Sequence, residues 1–349
     1  MGSKLGSGLG LGLAALALWS CAKSASDVCA PASGEVNVYS ARHYEADRDL
    51  FDKFACETGV KANLIESEGD ALIERLSQEG EASPADIFLT ADAGVLWRAQ
   101  SRGLLRPIAD ATILARAPAR FRDPGNEWVG LSKRARIVVY DRSKGAPEGL
   151  HSYEDLADPR FAGMICVRSS SNVYNQSLLA SIIANDGEEA GEAWARGVVA
   201  NFARAPEGND TSQIEAVAAG QCRLAIVNSY YVARYKDPKD EKKFDIGKNI
   251  AVFYPNQDGR GAHVNISGAG VARYAPNPQN AERLIAFLLT DESQKVFARG
   301  NNEYPIVEGL APDGLIAGFG AFKEDALPVS RLGELQPEAV RAFDRAGWQ

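Results

Sequence analysis

The sequence predicts an α/β protein of two lobes, in which each lobe is a mainly parallel sheet flanked by helices. Two observations lead to this prediction. Strand-like and helix-like segments alternate along most of the chain, an order typical of parallel sheets covered by helices. The chain also has 349 residues, which is long for one core and enough for two lobes of ordinary size. Its composition is that of a globular protein, since 45% of the residues are hydrophobic and 24% are charged.

The first third of the chain contains three predicted strand–helix pairs. Residues 35–40 alternate apolar and polar side chains, as a half-buried strand does. Residues 46–57 then show helical spacing and are followed by Gly59, a typical helix C-cap. The same order is repeated by the strands VKANLIES and PADIFLT and by the helices DALIERLSQEG and AGVLWRAQSRG.

The alternation continues to the end of the chain. Further strands are predicted at ARIVVYD, MICVRS, CRLAIVN, NIAVFYPN and HVNISGAGVA. Further helices are predicted at SSSNVYNQSLLASIIAND, GEEAGEAWARGVVANF, DTSQIEAVAAG, SYYVARYK, NAERLIAFLLTDESQKVFAR and PEAVRAFDRAGW. The lobe crossings are expected near residues 134–140 and 255–268. The N-terminal lobe then comprises residues 33–131 with 257–305, and the C-terminal lobe comprises residues 132–256 with 306–349.

Residues 1–30 are typical of an export leader. A short N-terminal segment with a single positive charge is followed by an apolar run, residues 9–19. This run is too short for a permanent membrane span. Two processing routes are open. Residues 18–21 resemble a bacterial lipobox, which would lipidate Cys21, and residues 22–30 offer small side chains for ordinary cleavage. Either route places the mature protein in the periplasm, free or anchored to the membrane as a lipoprotein.

Four cysteines remain once Cys21 is set aside, namely Cys29, Cys56, Cys166 and Cys222. Export makes disulfides feasible, and four cysteines allow three pairings among which the sequence does not choose. None of them forms a CxxC pair, which argues against a structural zinc site. The formal net charge of −8 argues against a nucleic-acid partner, because phosphate binding needs a basic face.

Four polar segments stand where predicted strands end, at residues 40–44, 90–93, 169–174 and 228–231. In open α/β sheets ligands bind at the carboxyl ends of strands, and with two lobes the expected site is the cleft between them. The side chains that these segments bring to the cleft are His43, Tyr44, Tyr174, Tyr230 and Tyr231. Ser169 and Asn172 are explained as helix caps, and exposed N–H groups at such a helix start also bind anions.

One imidazole and up to four phenols indicate a particular class of metal. Phenolate is a hard oxygen donor that suits a small, highly charged cation. Free tyrosine ionises near pH 10, so binding at neutral pH needs a strong Lewis acid, and Fe³⁺ is the common biological ion of that kind. Four phenolates around Fe³⁺ leave one net negative charge. Arg134, at the predicted lobe crossing, is the best candidate to offset that charge.

With those segments, the sequence resembles the periplasmic ferric-ion-binding proteins of bacterial ABC iron importers. These proteins have the type II periplasmic-binding-protein fold and are relatives of transferrin lobes. The resemblance runs from Val36 to about residue 340 and is strongest at residues 39–44, 83–87, 168–176 and 228–231.

The resemblance assigns a role to each candidate residue. It implies that Tyr44, Tyr174, Tyr230 and Tyr231 are phenolate ligands, that His43 fills the place of the family's histidine and that Arg134 approaches the metal or an accompanying anion. Some family members use a glutamate in the loop that corresponds to residues 90–92, where this chain has none. Tyr174 substitutes for it, as in the tyrosine-rich subgroup of cyanobacterial iron-uptake proteins, which needs no exogenous phosphate.

The resemblance therefore implies a monomeric binding protein that captures Fe(III) and passes it to an ABC permease of the inner membrane, with Fe(II) left open. Three alternatives are kept. The first is a binding protein of the same fold for an anion, a polyamine or a thiamine-like ligand. The second is an iron sensor or chaperone without an importer. The third is an enzyme, which is disfavoured because no nucleophile–base motif is present.

Overall fold

The computed structural model describes residues 29–349, so the predicted leader up to residue 28 and Cys21 lie outside the described residues. The strands in this part of the chain are β1 Gly34–Ser40, β2 Val60–Glu66, β3 Ile87–Thr90, β4 Leu105–Arg106, β5 Trp128–Asp141, β6 Ile165–Cys166, β7 Leu224–Asn228, β8 Ile250–Phe253, β9 Val264–Ala272 and β10 Tyr304–Pro305. The helices are α1 Glu45–Thr58, α2 Gly69–Glu79, α3 Ala93–Ser101, α4 Ala111–Arg116, α5 Val173–Asp186, α6 Glu188–Ala200, α7 Asp210–Ala218, α8 Ser229–Arg234, α9 Glu241–Lys248, α10 Pro278–Leu288, α11 Asp291–Val296, α12 Ser330–Glu334 and α13 Gln336–Ala346. Among the residues described, no helix is long and apolar enough to cross a membrane.

The strands follow the order β2-β1-β3-β9-β5-β7-β6, with β4 added to β9 and both β8 and β10 added to β5. β1 is parallel to β2 and β3, and β6 is parallel to β7. The two long strands β5 and β9 run antiparallel to their neighbours. This is the predicted α/β class, with parallel strands at both outer parts of the sheet and antiparallel strands in the middle.

Strand β5 connects the two halves of the structure. Its first half pairs with β9, and its second half, from Arg136 onward, pairs with β7 and β8. The sequence predicted a strand at residues 135–141, but the strand begins at Trp128. Its start was missed because it is buried on both faces despite containing Ser132 and Arg134, so the apolar–polar alternation of a half-buried strand is absent. The change of partner falls between Ala135 and Arg136, and the lobe crossings and residue boundaries stay predictions.

Two large hydrophobic clusters form most of the core of the described residues, and the larger one also extends into the C-terminal half. One packs β1, β3 and β9 against the helices of the N-terminal part, around fully buried side chains such as Phe54, Phe88 and Trp128. The other packs the end of β5 and β7 against α5, α6 and α13, around Trp194 and Trp348. Burial of apolar surface in these clusters is the main favourable term for each half.

Two disulfides select one of the three possible pairings. Cys29 is bonded to Cys56 of α1, and Cys166 of β6 is bonded to Cys222, two residues before β7 begins. The first bond fastens the start of the described chain to a helix, and the second joins two neighbouring parallel strands. Each is expected to stabilise the fold by about 2–4 kcal/mol.

The long helix predicted over residues 280–299 is wrong as a single element. Helix α10 ends at Leu288, and Thr290 then caps α11 by accepting a hydrogen bond from the backbone N–H of Ser293. Asp291 and Glu292 occupy the first turn of α11, where carboxylates are favourable. The sequence TDES is therefore a helix-start signal, which the apolar periodicity around it obscured.

Burial of His263 makes the stability of the fold depend on pH. The imidazole is 3% exposed, and burial together with the nearby Arg136, Arg134 and Arg260 lowers its pKa to about 3. The unfolded chain protonates this group near pH 6.5, so between pH 6.5 and 3 the unfolded state binds more protons than the folded state. The contribution is complete above pH 6.5 and is lost as the pH falls.

We therefore predict that replacing His263 reduces the acid sensitivity of the fold. Urea unfolding of the wild type should show a loss of about 3 kcal/mol between pH 6.5 and pH 4 from this residue. His263→Gln should lack that part of the loss, whereas His151→Gln, at an exposed position, should behave as the wild type does. Equal pH dependence in all three proteins would refute this assignment.

Candidate metal centre

The four candidate tyrosines all follow the end of a strand. Tyr44 is the N-cap residue of α1, in the short segment that follows β1. Tyr174 is the second residue of α5, in the segment that follows β6. Tyr230 and Tyr231 lie in the first turn of α8, which starts where β7 ends. Strand ends from both halves of the sheet therefore supply phenol groups.

These tyrosines form one group in space. The Tyr230 hydroxyl donates a hydrogen bond to the Tyr174 hydroxyl at 3.2 Å. The ring of Tyr44 meets that of Tyr230 edge-on, with 6.4 Å between centroids, and the rings of Tyr230 and Tyr231 are 4.3 Å apart. Tyr174 and Tyr231 also line a cleft of about 260 Å³, into which residues 68–70 and 90–92 of the N-terminal half face from the other side. The four tyrosines are thus neighbours in the structure, and their role as metal ligands stays a prediction.

Three of the four phenols hold their protons more tightly than a free tyrosine does. Burial raises the pKa of Tyr44, Tyr174 and Tyr230. Glu303 adds to the rise for Tyr44, neighbouring tyrosines add to it for Tyr230, and Arg134 opposes it at all three phenols. Only a cation that binds phenolate strongly can displace these protons near neutrality. Among the described residues no cluster of three His, Cys, Asp or Glu side chains offers a metal site of another kind.

Arg134 lies next to the ring of Tyr174. Its guanidinium carbon is 5.8 Å from the centroid of the Tyr174 ring, and its side chain is 1% exposed. Nη1 donates to Ser267 at 3.1 Å and lies 3.8 Å from Glu303, while Nε and Nη2 have no partner in the protein. Arg134 therefore presents unshared donors beside the group of tyrosines.

A second buried arginine, Arg42, packs against the ring of Tyr44. Arg42 lies 4.9 Å from the centroid of the Tyr44 ring and donates two hydrogen bonds to Asp47, at 2.8 and 2.9 Å. Its Nη1 is 3.2 Å from Glu303, which is fully buried. Arg42 and Arg134 thus share the carboxylate of Glu303, and these ion pairs hold both arginines in place beside the tyrosines.

His43 is not part of the tyrosine group in this arrangement. Its side chain is 54% exposed, and Nδ1 lies 3.6 Å from Glu66, which also binds Arg48. The imidazole faces solvent although it directly precedes Tyr44. Its role as a metal ligand stays a prediction.

Ser169 and Asn172 make the hydrogen bonds of a helix start. The Asn172 side chain accepts from the backbone N–H of Tyr174 at 3.1 Å and so caps α5. The Ser169 hydroxyl lies 2.9 Å from that of Ser171 and accepts from the Ser171 backbone. A local turn accounts for Ser169 and capping accounts for Asn172, and the cap fixes the turn that carries Tyr174.

Three carboxylates organise the site, and of these only Asp92 lies in a segment that the sequence singled out. Glu303 lies beneath Tyr44 and Arg134, and Asp210 binds Arg136 and Arg168 behind Tyr174. Asp92, which caps α3, accepts hydrogen bonds from Ser177 of α5 and Asn265 of β9. Desolvation raises the pKa of Asp92. In sequence these residues resemble ordinary loop or helix-start acids, and only the fold brings them to the tyrosines.

Two halves joined by crossing strands, with a polar cleft between them, are the architecture of a solute-binding protein. Residues 82–315 match the family of bacterial extracellular solute-binding proteins. The chain belongs to this family, whose members are transport binding proteins and not enzymes.

Proteins similar to this chain include an iron uptake protein and a ferric iron-binding protein. Iron uptake protein A1 of Synechocystis is 45% identical over 335 residues, which span 95% of this chain and 93% of that protein. The major ferric iron-binding protein of Neisseria meningitidis serogroup B is 30% identical and covers 91% of this chain and 94% of its own length. The Trichodesmium protein IdiA (FutA), solved in complex with iron and citrate, is 49% identical, with a TM-score of 0.87 over 90% of this chain and all of that one. These similarities confirm the predicted resemblance to ferric-ion-binding proteins and the two-lobed α/β class.

The placement of His43 yields a prediction about the relative importance of the donors. His43→Ala should weaken Fe(III) binding in a citrate competition assay less than any single Tyr→Phe change, because the imidazole lies in solvent and a phenol that loses its hydroxyl cannot be replaced. We expect a loss below about threefold for His43→Ala and above about hundredfold for Tyr230→Phe, taking 1.4 kcal/mol as a factor of ten. A His43→Ala loss as large as that of Tyr230→Phe would show that His43 turns inward and coordinates.

Proposed function

We propose that the protein binds Fe(III) outside the cytoplasmic membrane through the phenolates of Tyr44, Tyr174, Tyr230 and Tyr231, and delivers it to an ABC permease of the inner membrane. The observation that carries this proposal is the contact of four tyrosine side chains from three separate chain segments, two of which line one cleft. The relatives named for iron uptake and ferric iron binding support the choice of ion.

The chemistry of the donors favours the ferric ion. Phenolate is hard, anionic and strongly basic, so it prefers a small trivalent cation over softer divalent ions. Each phenol must lose its proton to coordinate, which costs most for Tyr44, Tyr174 and Tyr230 because burial raises their pKa. Binding therefore releases protons and weakens as the pH falls, which gives acid or reduction to Fe²⁺ as routes of release.

The distribution of the ligands couples binding to closure of the cleft. Tyr44 follows β1 in the N-terminal half, whereas the other three tyrosines follow β6 and β7 in the C-terminal half. A metal bound by both halves stabilises the arrangement in which they approach each other, a closure about the crossing strands such as β5. The closed surface is then what a permease would distinguish from the empty protein.

Several finer points remain proposals of the same kind. His43 is a predicted fifth donor, Arg134 offsets the negative charge of the ferric centre, and Ser169 and Asn172 are predicted contacts for an accompanying anion. A monomeric state, export by the leader and a lipid anchor at Cys21 also stay predictions. The extracellular family agrees with a site of action outside the cytoplasm.

The decisive experiment records the visible absorption spectrum of the purified protein after ferric citrate is added. Ferric phenolate absorbs visible light by charge transfer, so we expect an orange-to-red band that saturates at one iron per protein. Tyr230→Phe and Tyr231→Phe should each lose much of that band.

The matched control is Tyr274→Phe, since Tyr274 is 44% exposed and is not part of the tyrosine group. This variant should keep the band of the wild type. A wild-type protein that stays colourless with ferric citrate would contradict the ferric-phenolate site, and an unaltered band in both cleft variants would contradict the ligand assignment.

A further inference from the structure

Three charged residues lie behind Tyr174 and form a unit, here called the arginine–aspartate triad: Arg136, Arg168 and Asp210. Nη1 of Arg136 donates to Oδ2 of Asp210 at 2.7 Å, and Nη1 of Arg168 donates to Oδ1 at 3.3 Å. Asp210 is fully buried, the Arg136 side chain is 1% exposed and that of Arg168 is 17% exposed. One carboxylate thus holds two guanidinium groups in place.

The triad faces the tyrosines. The guanidinium carbons of Arg136 and Arg168 lie 6.0 and 5.5 Å from the centroid of the Tyr174 ring. Oδ2 of Asp210 also accepts a hydrogen bond from the backbone N–H of Asn228 at 2.7 Å. Asn228 ends β7 and precedes the turn that carries the other two tyrosines of the C-terminal half. A single carboxylate therefore fixes both ligand-bearing segments of this half relative to each other.

The triad carries a net positive charge, unlike the ion pairs under Tyr44. Two arginines and one aspartate sum to +1, whereas Arg42 and Arg134 are balanced by Asp47 and Glu303. The Nε groups of Arg136 and Arg168 are buried and have no partner in the protein. Leaving a buried cation incompletely paired is costly, so a fold that only needed stability would not favour it.

We propose that the triad is a charge-compensating unit for bound iron: Arg136 and Arg168 lie beside Tyr174, and the excess positive charge of the triad offsets the net negative charge of Fe³⁺ with four phenolates. This inference rests on the proposed function, because without a ferric-phenolate centre there is no negative charge to offset. It assigns a role in iron binding to residues that do not touch the metal.

The sign of the charge separates this role from a purely structural one. Arg168→Gln removes a positive charge and should weaken Fe(III) binding, whereas Asp210→Asn removes a negative charge at nearly the same shape and should strengthen it. A unit charge about 6 Å away interacts strongly enough in a partly buried site to change affinity by roughly tenfold. If the triad only supported the fold, both changes would weaken binding.

The experiment measures Fe(III) affinity by competition with citrate and records the wavelength of the iron–phenolate band for each variant. A cation near a phenolate stabilises its donor electrons, so Arg168→Gln should move the band to longer wavelength and Asp210→Asn to shorter wavelength. Arg168→Lys keeps the charge and should lie within about threefold of the wild-type affinity. Arg160→Gln and Asp158→Asn, which alter a half-exposed pair 3.0 Å apart, should change neither quantity.

Each result decides between the possibilities. Opposite shifts for Arg168→Gln and Asp210→Asn support the proposal, and shifts in the same direction overturn it while leaving the ferric site intact. If Asp210→Asn does not fold, the comparison of Arg168→Gln with Arg168→Lys tests the proposal. Equal losses of Fe(III) affinity in these two variants would overturn the role of charge. A colourless wild-type protein would overturn the proposed function and this inference together.

Discussion

The change of hydrogen-bond partner along β5 is the constraint on which the rest of the site depends. At Arg134 the strand still pairs with Asn265 of β9, and at Arg136 it already pairs with Asn228 of β7. Alternate residues of a strand point to the same face, so both arginines are directed to one side, where each lies within 6.0 Å of the Tyr174 ring centroid. The crossing that joins the two halves thereby places positive charge where ligands from both halves meet.

The energetic difficulty of the site is the burial of polar groups that must become anions. Burial raises the pKa of a phenol. A cation that binds phenolate weakly therefore cannot displace the phenol protons in the cleft. Buried guanidinium groups reverse part of that penalty, but each needs a carboxylate to stay ordered in a nonpolar surrounding. Glu303 and Asp210 meet that need from opposite sides of the site. The arrangement selects a cation that is both small and highly charged.

The sequence placed the four tyrosines and Arg134 near strand ends or the lobe crossing, but it did not reveal the carboxylates that hold the surrounding arginines. Tyr44 and Tyr230 follow strands with clear local patterns, so their position at strand ends could be read directly. Asp210 opens a helix and Glu303 lies in a loop, where acids are common for local reasons, and only tertiary contacts reveal their partners. The same holds for the disulfide partner of Cys166, which lies 56 residues away in sequence. The exposure of His43 depends on a side-chain orientation that no periodicity encodes.

We infer that one Fe³⁺ binds between phenols contributed by both halves of the molecule. A crystal structure of the iron-loaded protein, with anomalous scattering recorded at the iron edge, tests this most directly. We expect a single iron peak within bonding distance of the hydroxyl oxygens of Tyr44, Tyr174, Tyr230 and Tyr231. An iron peak on surface carboxylates, or one bound by Glu66 and His43 with the phenols free, would contradict the account.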